Sequence, residues 1–472
     1  QISSMIDQIS PNETISYKDL KGLNTLTSCP IEVTWLEKER GFSRDTCIDF
    51  LSSFFEPCDL KKLKTSLLGS IFLIVEYLQK NKNLFLEHFN IPEQVDLSNI
   101  MSIDPSTRKN LEINSSLDGE KKLSLLGVVD KTCSLLGSRL LKRRLNAPST
   151  QINQILKWQR KVAEFYYNFQ ITEQVRTLIS KFPDTERALS RLTRLGPNPR
   201  DLYALKAGMN LFFLLKEKVE FLEKNNISLE KNIEGGLKNI LNELKSAIKE
   251  EPPLTIKEGG FIKESFNKEL QKIKLVEKEA TTDLLELQRK YSLETGIKSL
   301  KLKYNNVLGY FFEAPISYKD RLLENDEFFH RQTTVNTIRI KSVILDQTEK
   351  TALNARNDAL ELEIKILEEL HRKVLGETKG IIGLSKKVSS LDVYSTLGYI
   401  AKTYNWCCPK LDNSKDFIIK DGRHSVVEKT ILQKGLNSFV PNDCSLSTDQ
   451  NLCRGNPTIL LFPLHCALLK QR

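Results

Sequence analysis

The chain has 472 residues, of which 40% are hydrophobic and 28% charged, with a formal net charge of +10. That is enough apolar content and length for several cores, and it excludes a disordered, low-complexity polypeptide. The most apolar run, Ile459 to Leu469, is too short to span a bilayer and is broken by Pro463 and His465.

The first 58 residues are mixed and turn-rich, punctuated by Pro11, Gly22, Pro30, Gly41 and Pro57, and read as the tail of an α/β domain. The start, Gln1-Ile2-Ser3-Ser4-Met5, has neither a signal-peptide layout nor an initiator Met, so a fragment is expected. Helical patterning begins near Leu60, with segments Leu67 to Leu78, Leu123 to Leu145, Ile152 to Ser180 and Asp201 to Glu223. Pro252-Pro253 and Gly259-Gly260 then open the most telling stretch.

Between Gly259 and Gly376 the pattern predicts a long helix, a β tip and a second long helix. Phe266, Leu270, Ile273, Val276, Ala280, Leu284, Leu287 and Tyr291 step by threes and fours and draw one apolar stripe. Glu294-Thr295-Gly296 ends it. KSLKLKY and VLGYFFEA flank Asn305-Asn306, a pair that tolerates a tight turn, and predict a hairpin. After a polar loop, TVNTIRIKSVI reads as a further strand. Leu353, Leu360, Leu367 and Val374 at sevenfold spacing, supported by Ile364 and Leu370, predict the second helix. At about 1.5 Å per residue, such helices are rods of roughly 45 Å. Beyond Gly376 another helical segment runs to Trp406, followed by expected short strands at Phe417–Lys420 and Val426–Lys429. The expected fold class is mostly α and multidomain, with long helices carrying a small antiparallel β tip and partial α/β segments at both ends.

The search for chemistry is largely negative. No local Ser/His/Asp or Cys/His signature, H-E-x-x-H or G-x-x-x-x-G-K-[ST] is present, and Gly455-Asn456-Pro457-Thr458 lacks the lysine that would reach a phosphate. The nine cysteines, an odd number without a C-x-x-C pair, read as reduced thiols of an intracellular protein. The five histidines are isolated and show no metal spacing. Charge is uneven: Ser138 to Lys206 holds 14 Lys and Arg against 5 Asp and Glu, a local +9. Such a concentration suits a polyphosphate; arginines that tie helices together explain it equally well.

LSLLGVVDKTCSLLGSRLLKRRL (Leu123–Leu145), the runs at Phe182–Arg187 and Asn198–Leu202, EGGFIKESFNKELQKIK, LKLKYNNVLGYFFEAPIS, FFHRQTTVNTIR, GRHSVVE and FVPNDCSLS follow one another in a familiar order. Together they resemble the MutS family of DNA mismatch-repair proteins, bacterial type, over roughly residues 60 to 448. The resemblance implies residues 1–58 as a connector remnant, 59–257 as helical core and 258–375 as lever helices with a clamp (β tip about 297–345). It further implies 376–412 as the helical return of the core, 413–452 as the beginning of an ATPase domain and 453–472 as a divergent tail. It also implies a homodimer around double-stranded DNA, a MutL-type partner, a cytoplasmic bacterial location associated with the nucleoid, and ATP with Mg²⁺ for the family.

The departures matter as well. The family's N-terminal domain, which wedges a Phe beside a mismatch with a Glu two positions on, is not matched. Phe311-Phe312-Glu313 mimics that pattern but lies on an expected clamp strand. The family's phosphate loop has no counterpart here, so no cofactor and no ATP hydrolysis are expected of this chain, with a truncated or frameshifted tail as the simplest account. The family's clamp contacts to DNA map to Thr333, Thr334, Asn336 and Arg339, with Val335 where the family usually has Lys. For Arg339 a structural ion pair remains an equal alternative, and for Lys301 and Lys303 a solvated strand face is favoured. Phe439 matches an aromatic that lies against adenine, and local packing is favoured for it here. Two other classes stay open: a clamp for DNA junctions or recombination intermediates, and a nonfunctional remnant.

Overall fold

A computed structural model describes residues 11, 13–17, 32–36, 43–80, 99–225, 227–305, 307–414, 416–433, 435 and 439–446. Asn306, the apolar run at 459–469, Gly455–Thr458 and the expected tail at 453–472 lie outside them. Near the start, β1 (Glu13–Tyr17) and β2 (Glu32–Leu36) pair in parallel. Helices α1 (Arg44–Leu51), α2 (Pro57–Lys61) and α3 (Thr65–Lys80) follow, and a small core forms around Leu51, Leu60, Leu68 and Phe72.

The helical succession continues with α4 (Pro105–Asn110), α5 (Leu125–Val129), α6 (Leu135–Asn146), α7 (Ile152–Tyr167), α8 (Phe169–Ile179), α9 (Thr185–Leu195), α10 (Pro199–Lys218) and α11 (Lys231–Ala247). Next come α12 (Lys268–Glu294), β3 (Lys301–Asn305), β4 (Gly309–Pro315), α13 (Lys319–Leu323), β5 (Phe328–Thr333) and β6 (Thr337–Ser342). The chain goes on through α14 (Val343–Gly376), α15 (Thr378–Thr403), β7 (Phe417–Gly422), α16 (Ser425–Gln433) and β8 (Asn442–Leu446). The mostly helical, multidomain class is as the sequence implies.

Two compact units divide the chain. One comprises Gln1–Gly196, Ala204–Lys238 and Leu375–Arg472, the other Pro197–Tyr203 and Asn239–Val374. In the first unit α15 is the central helix, packed by α6, α7, α8 and α9. It is buried on nearly every side, which its small and hydroxyl residues permit. Gly398 is one reason: a Cβ there would come within 2.7 Å of the Phe165 side chain. Asp392, fully buried on α15, accepts from the Cys133 and Ser134 N–H groups (3.0 and 2.8 Å) and from the Ser134 hydroxyl (2.6 Å). Ser134 in turn caps α6. The expected single helix from Leu123 to Leu145 is therefore two, because the Asp130–Ser134 link leaves helical geometry to meet this carboxylate.

In the second unit α12 starts at Asn267, whose Oδ1 accepts from the Glu269 and Leu270 N–H groups (2.8 and 3.1 Å). It ends at Gly296, whose φ of +67° is natural for glycine. Just upstream, Gly259 and Gly260 have φ of +66° and +75°, and the Gly260 N–H donates to the buried Glu363 of α14 at 2.6 Å.

The sheet has four strands in the order β3-β4-β6-β5, all antiparallel. Its inner face carries Phe312, Ala314, Ile338 and Ile340, which pack against Leu284 and Tyr291 of α12 and Leu345 of α14. Tyr291 meets Phe312 and Phe328 edge-on, with ring centroids 5.4 and 4.8 Å apart. The sheet thus sits where the two helices meet their strands, as expected, but with one strand more. β5, read above as polar loop, alternates so weakly that its period is hidden; only Phe328 of its residues is buried. A second correction concerns Val426–Lys429, which is helix rather than strand. His424 caps it, its Nδ1 accepting from the Val427 N–H at 3.3 Å.

Candidate functional site

The outer face of the sheet gathers the polar residues. On β4, Phe312 and Ala314 point inward, so Phe311 and Glu313 point outward by the period of two. Glu313 lies between two cations: the Lys303 ammonium at 2.5 Å and the Arg339 Nε at 3.0 Å. The Lys303 hydrogen bond above all, with Arg339 assisting, holds the Glu313 carboxyl below its ordinary value. Arg339 also donates from Nη1 to the Gln332 side chain at 2.7 Å, and its guanidinium lies 5.0 Å from the Phe311 ring centroid.

Arg339 therefore forms the ion pair that the sequence left open as one of two readings. Its side chain keeps 24% exposure and is held by a carboxylate, an amide and an aromatic face. The cause is register: Arg339 stands directly opposite Glu313 across β4 and β6, and opposite Gln332 across β5 and β6. Phe311 and Phe312, which mimic the Phe of a base wedge, are both buried.

Thr333 to Thr337 form the tight turn between β5 and β6. The Thr334 N–H donates to the Thr337 carbonyl at 2.8 Å, and the Thr337 N–H donates back to the Thr334 hydroxyl at 3.1 Å. Thr334 is thus a turn-former, with its hydroxyl already committed. The Thr333 hydroxyl is 2.8 Å from the His330 Nε2. Asn336 and Val335 stand at the apex; Asn336 is exposed and Val335 is 92% exposed. The Asn336 carbonyl accepts from the Ile316 N–H at 3.0 Å, which fixes the turn against the end of β4. The hairpin turn at Asn305 lies at the opposite end of the sheet, since Asn305 pairs Gly309 while Pro315 pairs Thr337. There, Glu349 of α14 accepts from the Tyr310 N–H (2.9 Å) and from the buried Lys341 ammonium (2.5 Å).

Glu313, Gln332 and Lys303 are the members that sequence reasoning did not join to Arg339. The strands of Lys303 and Glu313 were visible, that of Gln332 was not, and the partnership of all three needed the register. The basic stretch between Ser138 and Lys206 resolves in part as helix ties. Arg139 pairs with Asp184 (2.7 Å) and Glu186 (2.8 Å), and Arg176 donates to the Thr396 hydroxyl (2.6 Å) and the Lys131 carbonyl (2.8 Å).

Phe439 is half-buried and precedes β8, which pairs with β7. Arg423, next to the end of β7, is taken up by Glu428 (2.8 Å) and by the Tyr404 and Asn405 carbonyls. Arg423 is thus held by local partners. No helix among the described residues is long and apolar enough to cross a membrane.

A family model described as MutS domain III matches residues 106–398, well over half of the chain. DNA mismatch repair protein MutS of Paracoccus denitrificans is 34% identical over 388 residues, covering 80% of this chain and 44% of that protein. The protein of the same name from Ruegeria pomeroyi is 34% identical over 394 residues, covering 82% and 44%. That of Rickettsia rickettsii is 30% identical over 460 residues, covering 95% and 51%. The chain spans about half the length of the curated relatives it matches.

Proposed function

The chain belongs to the MutS family, and we propose on that premise that it is the core-and-clamp portion of a DNA mismatch-repair protein, gripping double-stranded DNA through the outer face and turn of its four-stranded sheet. The observation that carries this reading is the exposed polar turn at Thr333–Thr337, braced by its own hydrogen bonds and by the Ile316 N–H. Asn336 at its apex can donate an amide hydrogen to a phosphate oxygen, and Thr333 can offer a hydroxyl. Arg339 and Lys303 supply positive charge beside them. Contacts of this kind position a duplex without reading its bases.

Thr334 shapes the turn, and Arg339 acts from within the Glu313 pair rather than as a free cation. A homodimer enclosing the duplex and a MutL-type partner belong to the same proposal, on the strength of family membership. Fluorescence anisotropy with a short labelled duplex tests the reading. Asn336→Ala should weaken binding by about 1.5–3 kcal/mol, the worth of one hydrogen bond to a charged phosphate, with unchanged thermal stability. Undiminished binding by that variant would remove the turn from the interface.

A further inference from the structure

A second cationic group stands in the other unit. Arg144 closes α6, Lys157 and Lys161 are one turn apart on α7, and Lys387 lies on α15. The Arg144 guanidinium lies 4.5 Å from the Trp158 ring centroid and 4.9 Å from that of Tyr394, and it donates to the Tyr394 hydroxyl at 3.0 Å. The Lys161 ammonium lies 5.2 Å from the same Tyr394 ring. Two cations from two helices thus converge on one aromatic ring.

We propose that Arg144, Lys157, Lys161 and Lys387 form a second phosphate-contacting site, one that takes the sugar–phosphate backbone of duplex DNA on the helical unit. Arg144 and Lys161 are half-buried, whereas Lys157 and Lys387 are exposed and make no ion pair among the described residues. Burial pushes the Lys161 ammonium below its ordinary value, and Lys387, Lys157 and Arg144 push it the same way. Glu164 opposes them; its carboxylate, held by the Lys224 N–H (2.9 Å) and the Asn225 amide (2.7 Å), offsets the group of four cations by one anion. Like charges held together this way repel one another, and a polyanion laid across them relieves the repulsion while releasing counterions. The aromatic faces hold Arg144 in place beforehand, so little freedom is lost when an anion arrives. The choice of a phosphodiester over an acidic peptide rests on the DNA-binding role proposed above.

The test uses the full chain with Lys157→Gln and Lys387→Gln combined, two exposed changes that should leave the denaturant midpoint unaltered. Binding of a short duplex is measured over a range of salt, beside Asn336→Ala and beside labelled polyglutamate. The expected result is severalfold weaker duplex binding at low salt, with a slope of log affinity against log salt shallower by about one to two. Asn336→Ala, which removes no charge, should leave the slope nearly as it was. Wild-type behaviour of the double variant, with Asn336→Ala still impaired, would overturn this site and leave the clamp reading standing. Failure of the unaltered chain to bind duplex at all would overturn both. An equal or larger loss toward polyglutamate than toward duplex would overturn the nucleic-acid assignment.

Discussion

Glu313 decides how much positive charge the outer face of the sheet offers. One carboxylate is shared by Lys303 and Arg339, so the trio carries a single net positive charge and its cations are held in place rather than free to swing. Glu313→Gln should raise duplex affinity by a few-fold at low salt, an advantage that fades as salt rises; a variant no tighter than wild type would mean that DNA does not meet this face. Because the Glu313 pKa is depressed in the folded protein, its contribution to stability is present above the ordinary carboxylate range and is lost as pH falls through the folded value. Glu363 has the opposite sign. It is fully buried, one oxygen receives the Gly260 N–H, the other finds no partner among the described residues, and burial raises its pKa. Its contribution is therefore full below its unfolded pKa and is lost as pH rises through the folded one. Glu363→Gln carries no such penalty, so the stability difference between wild type and variant should shift in favour of the variant as pH rises. Chemical denaturation across pH measures this, and a difference independent of pH would show that Glu363 does not change its protonation in that range.

Among the elements, α6 depends most on a single remote group. Asp392 satisfies the Cys133 and Ser134 N–H groups from a position more than two hundred residues away, and a Cβ on Gly137 would sit 2.1 Å from its carboxylate oxygen. Asp392→Ala leaves those buried donors unpaired, and should cost about 3 kcal/mol by denaturant unfolding, since each lost donor is worth on the order of 1–3 kcal/mol. The existence of α6 and α7 was legible from their apolar periods. The break between α5 and α6 was not, because it is fixed by a carboxylate on α15. The two long helices show how far periodicity reaches. On α14 the sevenfold leucines are a true signal at one end, where Leu367 and Val374 are fully buried, but Leu353 is 36% exposed. A straight α-helix drifts by about 20° per heptad, so a seven-residue row slides off the buried face. Ala352, Ala355 and Ala359 take that face instead, and alanines carry little weight in a search for large apolar residues. On α12 the stripe holds at Leu270, Ala280, Leu284 and Tyr291, while Val276 faces outward. At the candidate site, the residue types of the turn at Thr333–Thr337 were readable beforehand. The pairing of Arg339 with Glu313 was not, since β-register is a property of two strands and neither one alone reveals it.

For the whole molecule we propose a DNA-holding part, and its sequence carries no G-x-x-x-x-G-K-[ST] phosphate loop. The purified 472-residue chain should therefore show no ATP turnover above background, because neither the backbone cradle nor the hydroxyl that holds Mg²⁺ is encoded in it. Turnover that persists after repurification would place a catalytic site in residues assigned here to packing. The proposed clamp face and the proposed cationic group around Arg144 share one physics: charge and hydrogen bonds directed at phosphate.

The most direct measurement is a titration of matched and singly mismatched duplexes with the 472-residue chain at two salt concentrations. Equal affinity for the two duplexes, weakening steeply as salt rises, is the result expected of a grip made through phosphates. A preference for the mismatch on the order of tenfold, or binding indifferent to salt, would contradict the account, since base reading is worth about 1–3 kcal/mol per position and has no part in a grip made through phosphates.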